Sequence, residues 1–293
     1  MATYEEKLAQ EAALWGAVDE AHAEAVPPDW RYHRDLRHNA ITHTADVDAL
    51  LAEVVPGMRT LELGCASGWL TLAMAQRGAE AFGLDISARS LAVARRYYEQ
   101  VRDDIPGSVV YAQTDLNQVA LAPESYDVIV TKGTLHHLVG LDHVIAQVMR
   151  ALKPGGLFWI SDQDGDEALP TALVAGGLMF VLPTTTSYRD KFAGLVRFGF
   201  NAPSRIKASM EAEGLSPFEG AGRDHDWLRM VRERFVIQKL MRKPAVTGYI
   251  THQLNLPDTT AMPLLRALHA VDGVLVGAGV LRSTGVVVFA RKP

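Results

Sequence analysis

Two acidic residues at the ends of apolar runs, Glu62 and Asp85, are the side chains in this sequence best placed to do chemistry. Glu62 lies in Thr60-Leu61-Glu62-Leu63 and precedes the small-residue turn Gly64-Cys65-Ala66-Ser67-Gly68. A carboxylate at the end of a buried strand is costly unless it is paired, so Glu62 requires a cationic partner, and a ligand ammonium would serve. Asp85 closes Glu80-Ala81-Phe82-Gly83-Leu84-Asp85. At a strand tip it can accept hydrogen bonds from both hydroxyls of a ribose. The alternative is a helix N-cap, because Asp85 and Ser87 both precede a helical stretch. Asp115, in Gln113-Thr114-Asp115-Leu116-Asn117, either accepts from an adenine amino group while Leu116 packs on the ring, or is an ordinary turn aspartate. Gly64 and Gly68 let the backbone approach a ligand where a helix starts with unpaired amides, and Ala66 is small enough to keep that approach open. The turn is not the dinucleotide fingerprint: Trp69 stands where its third glycine would fall, which speaks against a nicotinamide-dependent oxidoreductase.

A second group follows a later apolar run, in Thr131-Lys132-Gly133-Thr134-Leu135-His136-His137-Leu138. A histidine there could take a proton from a bound molecule, since its pKa lies near neutrality; otherwise the pair simply hydrogen-bonds the backbone. His33, His38 and His43 do not share a helix face, and there is neither a His-Glu-x-x-His motif nor a cysteine pair, so no metal site is expected. The single cysteine, Cys65, excludes an intramolecular disulfide and reads as a packing residue beneath the turn. No Gly-x-Ser-x-Gly elbow marks a serine hydrolase.

These residues need elements to hold them. Residues 1–27 read as helix, and a further helical pattern runs to Val55. From Arg59 the chain alternates: strands at 59–63, 81–84, 109–112, 127–131 and 157–161, with helices at 69–77, from Ser87 to about 102, and at 142–152. Lys153-Pro154-Gly155-Gly156 is a breaker cluster before the fifth strand. Short apolar strands between helices imply a mostly parallel sheet covered on both faces. After Asp162 the alternation stops. A strand is expected at 234–241, a helix at 263–275 and a last strand at 285–291.

Taken together, Leu61-Glu62-Leu63-Gly64-Cys65-Ala66-Ser67-Gly68, Gly83-Leu84-Asp85, Thr114-Asp115-Leu116, Tyr126-Asp127-Val128-Ile129 and Leu152-Lys153-Pro154-Gly155-Gly156 resemble the class I S-adenosylmethionine-dependent methyltransferases. The resemblance covers about residues 58–162, with Ala66 where that family commonly has glycine. It implies an α/β fold: a Rossmann-like seven-stranded, mostly parallel sheet whose last strand runs antiparallel. It also implies S-adenosyl-L-methionine as cofactor, with Glu62 on the methionine ammonium, Asp85 on the ribose and Asp115 on the adenine amine. Ile86, Leu116 and Lys132 join Gly64, Ala66 and Gly68 in the expected cofactor set, and His136 and His137 are the candidate bases. The segment Trp30 to Thr44 is similar to the approach to this motif in ubiquinone-type O-methyltransferases, which offers Arg37 for the methionine carboxylate. Trp30 and Tyr32 are expected to pack against the domain.

The expected organisation is an N-terminal helical segment (1–56), a cofactor-binding core (57–162), a helical cap (163–230) and strands completing the sheet (231–293). The cap is strongly apolar at Leu173, Val174, Leu178, Met179, Phe180, Val181 and Leu182, continued by Phe192, Leu195, Val196, Phe198 and Phe200. It would serve as core, as an acceptor pocket or as a homodimer face. At 293 residues and net charge −5, the chain is not a general nucleic-acid binder. With an acidic N-terminus and no apolar run near the ~20 residues of a membrane span, a cytoplasmic enzyme acting on a small-molecule acceptor is expected, whether secondary metabolite, sugar or lipid-like. The competing expectation is a non-catalytic module that binds the same nucleoside and acts through a protein partner.

Overall fold

The computed structural model describes residues 2–23, 36–164, 169–198, 216–218 and 226–293. The expectations for Trp30, Tyr32, His33 and Phe200, and for the side chains of Leu195 and Phe198, lie outside the described residues.

The strands are β1 (Arg59–Leu63), β2 (Glu80–Asp85), β3 (Ser108–Gln113), β4 (Tyr126–Lys132), β5 (Leu152–Asp162), β6 (Val236–Arg242) and β7 (Val286–Arg291). They form one seven-stranded sheet in the order β3-β2-β1-β4-β5-β7-β6. Neighbours from β3 across to β5 are parallel, while β7 runs antiparallel to both β5 and β6. The last strand alone is inverted, as the sequence resemblance implied. Strand order reverses between β1 and β4, and ligands of open α/β sheets bind at the carboxyl ends beside such a point.

The helices are α1 (Tyr4–Ala23), α2 (Leu36–His38), α3 (Thr44–Glu53), α4 (Trp69–Gln76), α5 (Ala88–Val101), α6 (Leu141–Ala151), α7 (Leu169–Val181), α8 (Tyr188–Phe198), α9 (Trp227–Arg234), α10 (Thr247–Thr251) and α11 (Asp258–Gly277). A π turn, Asn39–His43, joins α2 to α3. In α6 the buried residues Leu141, Val144, Ile145, Val148 and Ala151 recur at helical spacing and form one stripe against the sheet. In α4 every residue from Trp69 to Ala75 is buried, which fits a helix packed beneath other elements.

Alternation along the strands divides the core into two faces. Val128, Val130, Leu157 and Trp159 pack with α3, α4 and α5. Leu61, Leu63, Ile129, Phe158 and Ile160 pack with α6 and α9. The apolar segment expected to form a cap splits in the same way. Ala175, Leu178, Met179 and Leu182 join small cores with α10 and α11, whereas Val181, Phe192 and Val196 are exposed.

Among the boundaries that differ from expectation, three have a visible physical cause. The fifth strand begins at Leu152, which pairs with Tyr126, and the breaker cluster is absorbed as an irregularity before Leu157 pairs with Val128. Lys153 Nζ holds both oxygens of Asp127 at 2.8 Å and Asp127 also accepts from Arg59 N–H at 2.9 Å, so the early pairing is pinned by side chains. The helix expected from Pro263 starts at Asp258, whose carboxylate favours a helix N-terminus and meets Arg37 at 2.5 Å. The sixth strand starts at Val236 rather than 234, because Arg234 ends α9.

Candidate functional site

Strand alternation decides where Glu62 goes. Leu61 and Leu63 face α6, so Glu62 faces the opposite side, under α4. Its Oε2 accepts from Thr71 N–H at 2.7 Å and Thr71 Oγ–H at 2.5 Å, and the residue is 2% exposed. Burial pushes its pKa up to about 8, against the pull of the Thr71 bonds. The chain supplies this carboxylate with neutral donors and leaves it poorly compensated as an anion.

The turn after β1 is built from left-handed residues: φ is +74° at Gly64, +47° at Ala66 and +73° at Gly68. Glycine is required at both ends. A Cβ on Gly64 would stand 2.3 Å from Thr134 Oγ1, and one on Gly68 2.3 Å from Tyr111 OH. The turn is also tied to β2. Asp85 Oδ2 accepts from Ala66 N–H and Oδ1 from Ser87 N–H, each at 2.8 Å. Ser87, not Asp85, caps α5, accepting from Ser90 N–H. Burial raises the Asp85 pKa to about 6 despite those amides. Ile86 follows half-buried, its carbonyl accepting from Gln113 Nε2 at 3.0 Å. Cys65 is buried against Gly83, and burial pushes its thiol pKa well up, consistent with a packing role.

Asp115 ends the β3 segment and caps the short turn Leu116–Gln118, with Leu116 buried beside it. Oδ2 accepts from Tyr4 OH at 2.8 Å, which links it to α1. Burial and Asp115 push the Tyr4 pKa up to about 12. Gly16 of α1 sits on Ser87 and Arg89, and Glu20 pairs with Arg89. The first helix therefore spans the strand tips that carry Asp115 and Asp85.

The loop after β4 separates its two histidines. His136 Nδ1 donates to Asp162 Oδ1 at 2.6 Å. Asp162 also accepts from Gln163 N–H at 2.7 Å, Thr134 N–H at 3.0 Å and Leu135 N–H at 2.7 Å. Burial works to raise its pKa, but the hydrogen bonds from His136 and from the Gln163 amide outweigh it and hold the carboxyl below the ordinary value. His137 turns the other way, with Nδ1 3.1 Å from Ser216 Oγ and 3.3 Å from Glu11 Oε1, and its ring edge-on to Trp15. Lys132 lies half-buried at the end of β4, its ammonium 5.3 Å from the Trp69 ring centre.

Glu62, Gly64, Ala66, Gly68, Asp85, Ile86, Asp115, Leu116, Lys132 and His136 thus collect at the carboxyl ends of β1 to β4. Arg37 does not join them in the expected role. Its guanidinium donates to Asp258 Oδ1 at 2.5 Å, Leu254 O at 2.8 Å and Leu256 O at 2.6 Å, which makes it a clamp between α2 and the start of α11. Asp162 and Tyr4 were not anticipated. Asp162 obeys the rule that picked out Glu62 and Asp85, a carboxylate closing an apolar strand. Tyr4 carried no local signal. Among the described residues no group of His, Cys, Asp and Glu could hold a metal, and no helix is long and apolar enough to cross a membrane.

Residues 61–160 match the model of a methyltransferase domain. A ubiquinone biosynthesis O-methyltransferase of Mesorhizobium japonicum is 27% identical over 178 residues, 60% of this chain and 66% of that protein. One from Hahella chejuensis is 34% identical over 141 residues, 47% of this chain and 58% of that protein. The chain therefore spans no more than about two thirds of the length of these relatives. A geranyl diphosphate C-methyltransferase from Streptomyces coelicolor shares the fold over the whole of both chains, with a TM-score of 0.57 at 14% identity.

Proposed function

We propose that the chain is a class I S-adenosylmethionine-dependent methyltransferase that methylates a hydroxyl oxygen of a small-molecule acceptor, with His136 as the base and Asp162 orienting it, a reading supported by the match of residues 61–160 to a methyltransferase domain and by the His136–Asp162 bond. The donor set suits the cofactor. Its ammonium, ribose hydroxyls and adenine amine are all hydrogen-bond donors, and the chain offers carboxylates at the ends of three adjacent strands. When bound, the cofactor supplies an electrophilic methyl group on a sulfonium sulfur. Glu62 takes the ammonium, Asp85 the ribose and Asp115 the adenine amine. Ile86 and Leu116 flank the adenine, Gly64, Ala66 and Gly68 let the backbone come close, and Lys132 balances the local negative charge.

The His136–Asp162 pair is the observation that carries the acceptor chemistry. An imidazole that donates from Nδ1 keeps its basic lone pair on Nε2. Asp162 fixes that tautomer and stabilises the imidazolium once Nε2 has taken the hydroxyl proton. A neutral amine acceptor needs no such base, so the pair favours a hydroxyl, in keeping with the O-methyltransferase names of the relatives above. The acceptor is a metabolite rather than a nucleic acid: the net charge is −5.

The test is methyl transfer from isotopically labelled S-adenosylmethionine to components of a metabolite extract, repeated with His136→Ala. A labelled methyl ether is expected, with turnover falling ~10²–10⁴-fold in the variant while S-adenosylhomocysteine affinity stays unchanged. Equal loss of turnover and affinity would make His136 structural. No labelled product from the wild type would return the chain to a binding role.

A further inference from the structure

One half-buried cation near this site has no side-chain partner among the described residues. Asp162 and Arg242 both stand in register with Val286 of β7, so Lys243, the next residue, emerges at the same end of the sheet as the His136–Asp162 pair. Its backbone is anchored there. The Lys243 N–H donates to Gly285 O at 2.8 Å, and its carbonyl accepts from Ser283 Oγ at 2.8 Å. The side chain is half-buried. Surrounding protein lowers its pKa, opposed by the charges of Asp162 and Asp46.

Neither carboxylate closes on it. No ion pair within 4.0 Å and no side-chain hydrogen bond joins Lys243 to any described residue. Asp162 is already committed to four donors: His136, Gln163, Thr134 and Leu135. Asp46, on α3 and 8% exposed, likewise has no side-chain hydrogen bond or ion pair among the described residues. The chain therefore holds an ammonium in the field of two carboxylates without direct contact to either. Such a group is costly unless a counter-charge reaches it. Lys132 does not fill the same role, because it sits on Trp69 and acts on Glu62.

We propose that Lys243 binds a carboxylate on the methyl acceptor, so that the enzyme selects hydroxy acids over their neutral analogues. This rests on the methyl-transfer reading above and adds the class of acceptor to it. A carboxylate on Lys243 would hold the molecule at one end, and the hydroxyl at the other would meet His136.

The test is calorimetric titration of protein saturated with S-adenosylhomocysteine, using ortho, meta and para hydroxybenzoate, each against its neutral hydroxybenzamide. At least one acid is expected to bind about tenfold or more tightly than its amide, as for a charge-assisted hydrogen bond. Lys243→Met should bring acid and amide within about twofold, with S-adenosylhomocysteine affinity unchanged, and Lys243→Arg should keep most of the preference. A wild type that prefers none of the acids, including one that binds none of the probes, overturns the proposal, as does a preference that survives in Lys243→Met. Failure to bind S-adenosylhomocysteine would instead bring down the methyl-transfer reading itself.

Discussion

The two halves of the sheet place a carboxylate at the same point, the carboxyl end of a buried strand, and leave it in opposite states. On β1 and β2, burial drives Glu62 up to about 8 and Asp85 up to about 6. On β5, Asp162 is as deeply buried and yet lies below its ordinary value, because four donors reach it, the His136 imidazole among them, where Glu62 and Asp85 each have two. Burial alone does not set the state of a buried acid; the donors that reach it do. Under the proposed function, the acid satisfied by its own chain orients a base, and the two left short of positive charge take the ligand.

The sharpest way to break this contrast is Asp162→Asn. It keeps the shape but removes the charge that fixes and stabilises the His136 imidazole, and turnover should fall ~10²-fold or more with S-adenosylhomocysteine affinity intact. Steady-state rates beside calorimetry check this. Next comes Glu62→Gln, which should weaken S-adenosylhomocysteine by roughly 10–100-fold, about 1.5–3 kcal/mol for a hydrogen bond to a charged group. A smaller effect lies in pH. For Glu62 the folded pKa is raised, so the folded state holds the proton and its stability declines as pH rises from the ordinary carboxyl value of 4.5 through about 8. Asp162 has the opposite sign: its contribution is present above its ordinary value of 3.8 and is lost as pH falls below it. Thermal melts should show Glu62→Gln gaining on the wild type between pH 5 and pH 9, and a flat difference would remove the contrast. The smallest effect is Ala66→Gly. Ala66 sits at φ +47°, and relieving that left-handed strain should add about 1 kcal/mol, read as a melting temperature higher by a few degrees.

How far each half could be read in advance follows from how it is assembled. The β1–α4–β2 unit is contiguous, and its turn, its glycines and both carboxylates fall within one crossover. Local period and residue type therefore placed Glu62 and Asp85 at strand tips. The other half joins residues far apart. His136 and Asp162 are 26 positions apart, His137 and Ser216 79, and Tyr4 and Asp115 111. No window of sequence contains such a pair. For the same reason Arg37 read as a ligand for a carboxylate, whereas its partners lie 217 to 221 residues along the chain.

The sequence by itself determined the order of strands and helices from β1 to β5 and the acids that close β1 and β2, because apolar periodicity and turn residues act over a few neighbours; the inverted last strand came only from the family resemblance. The tertiary structure alone decided that His136 joins Asp162 while His137 turns to Ser216 and Glu11, that α1 lies over the strand tips, and that Lys243 emerges at the same end of the sheet as Asp162 with no side-chain partner among the described residues. Those outcomes depend on which distant donors and charges arrive at a point in space, and spacing along a chain does not encode that.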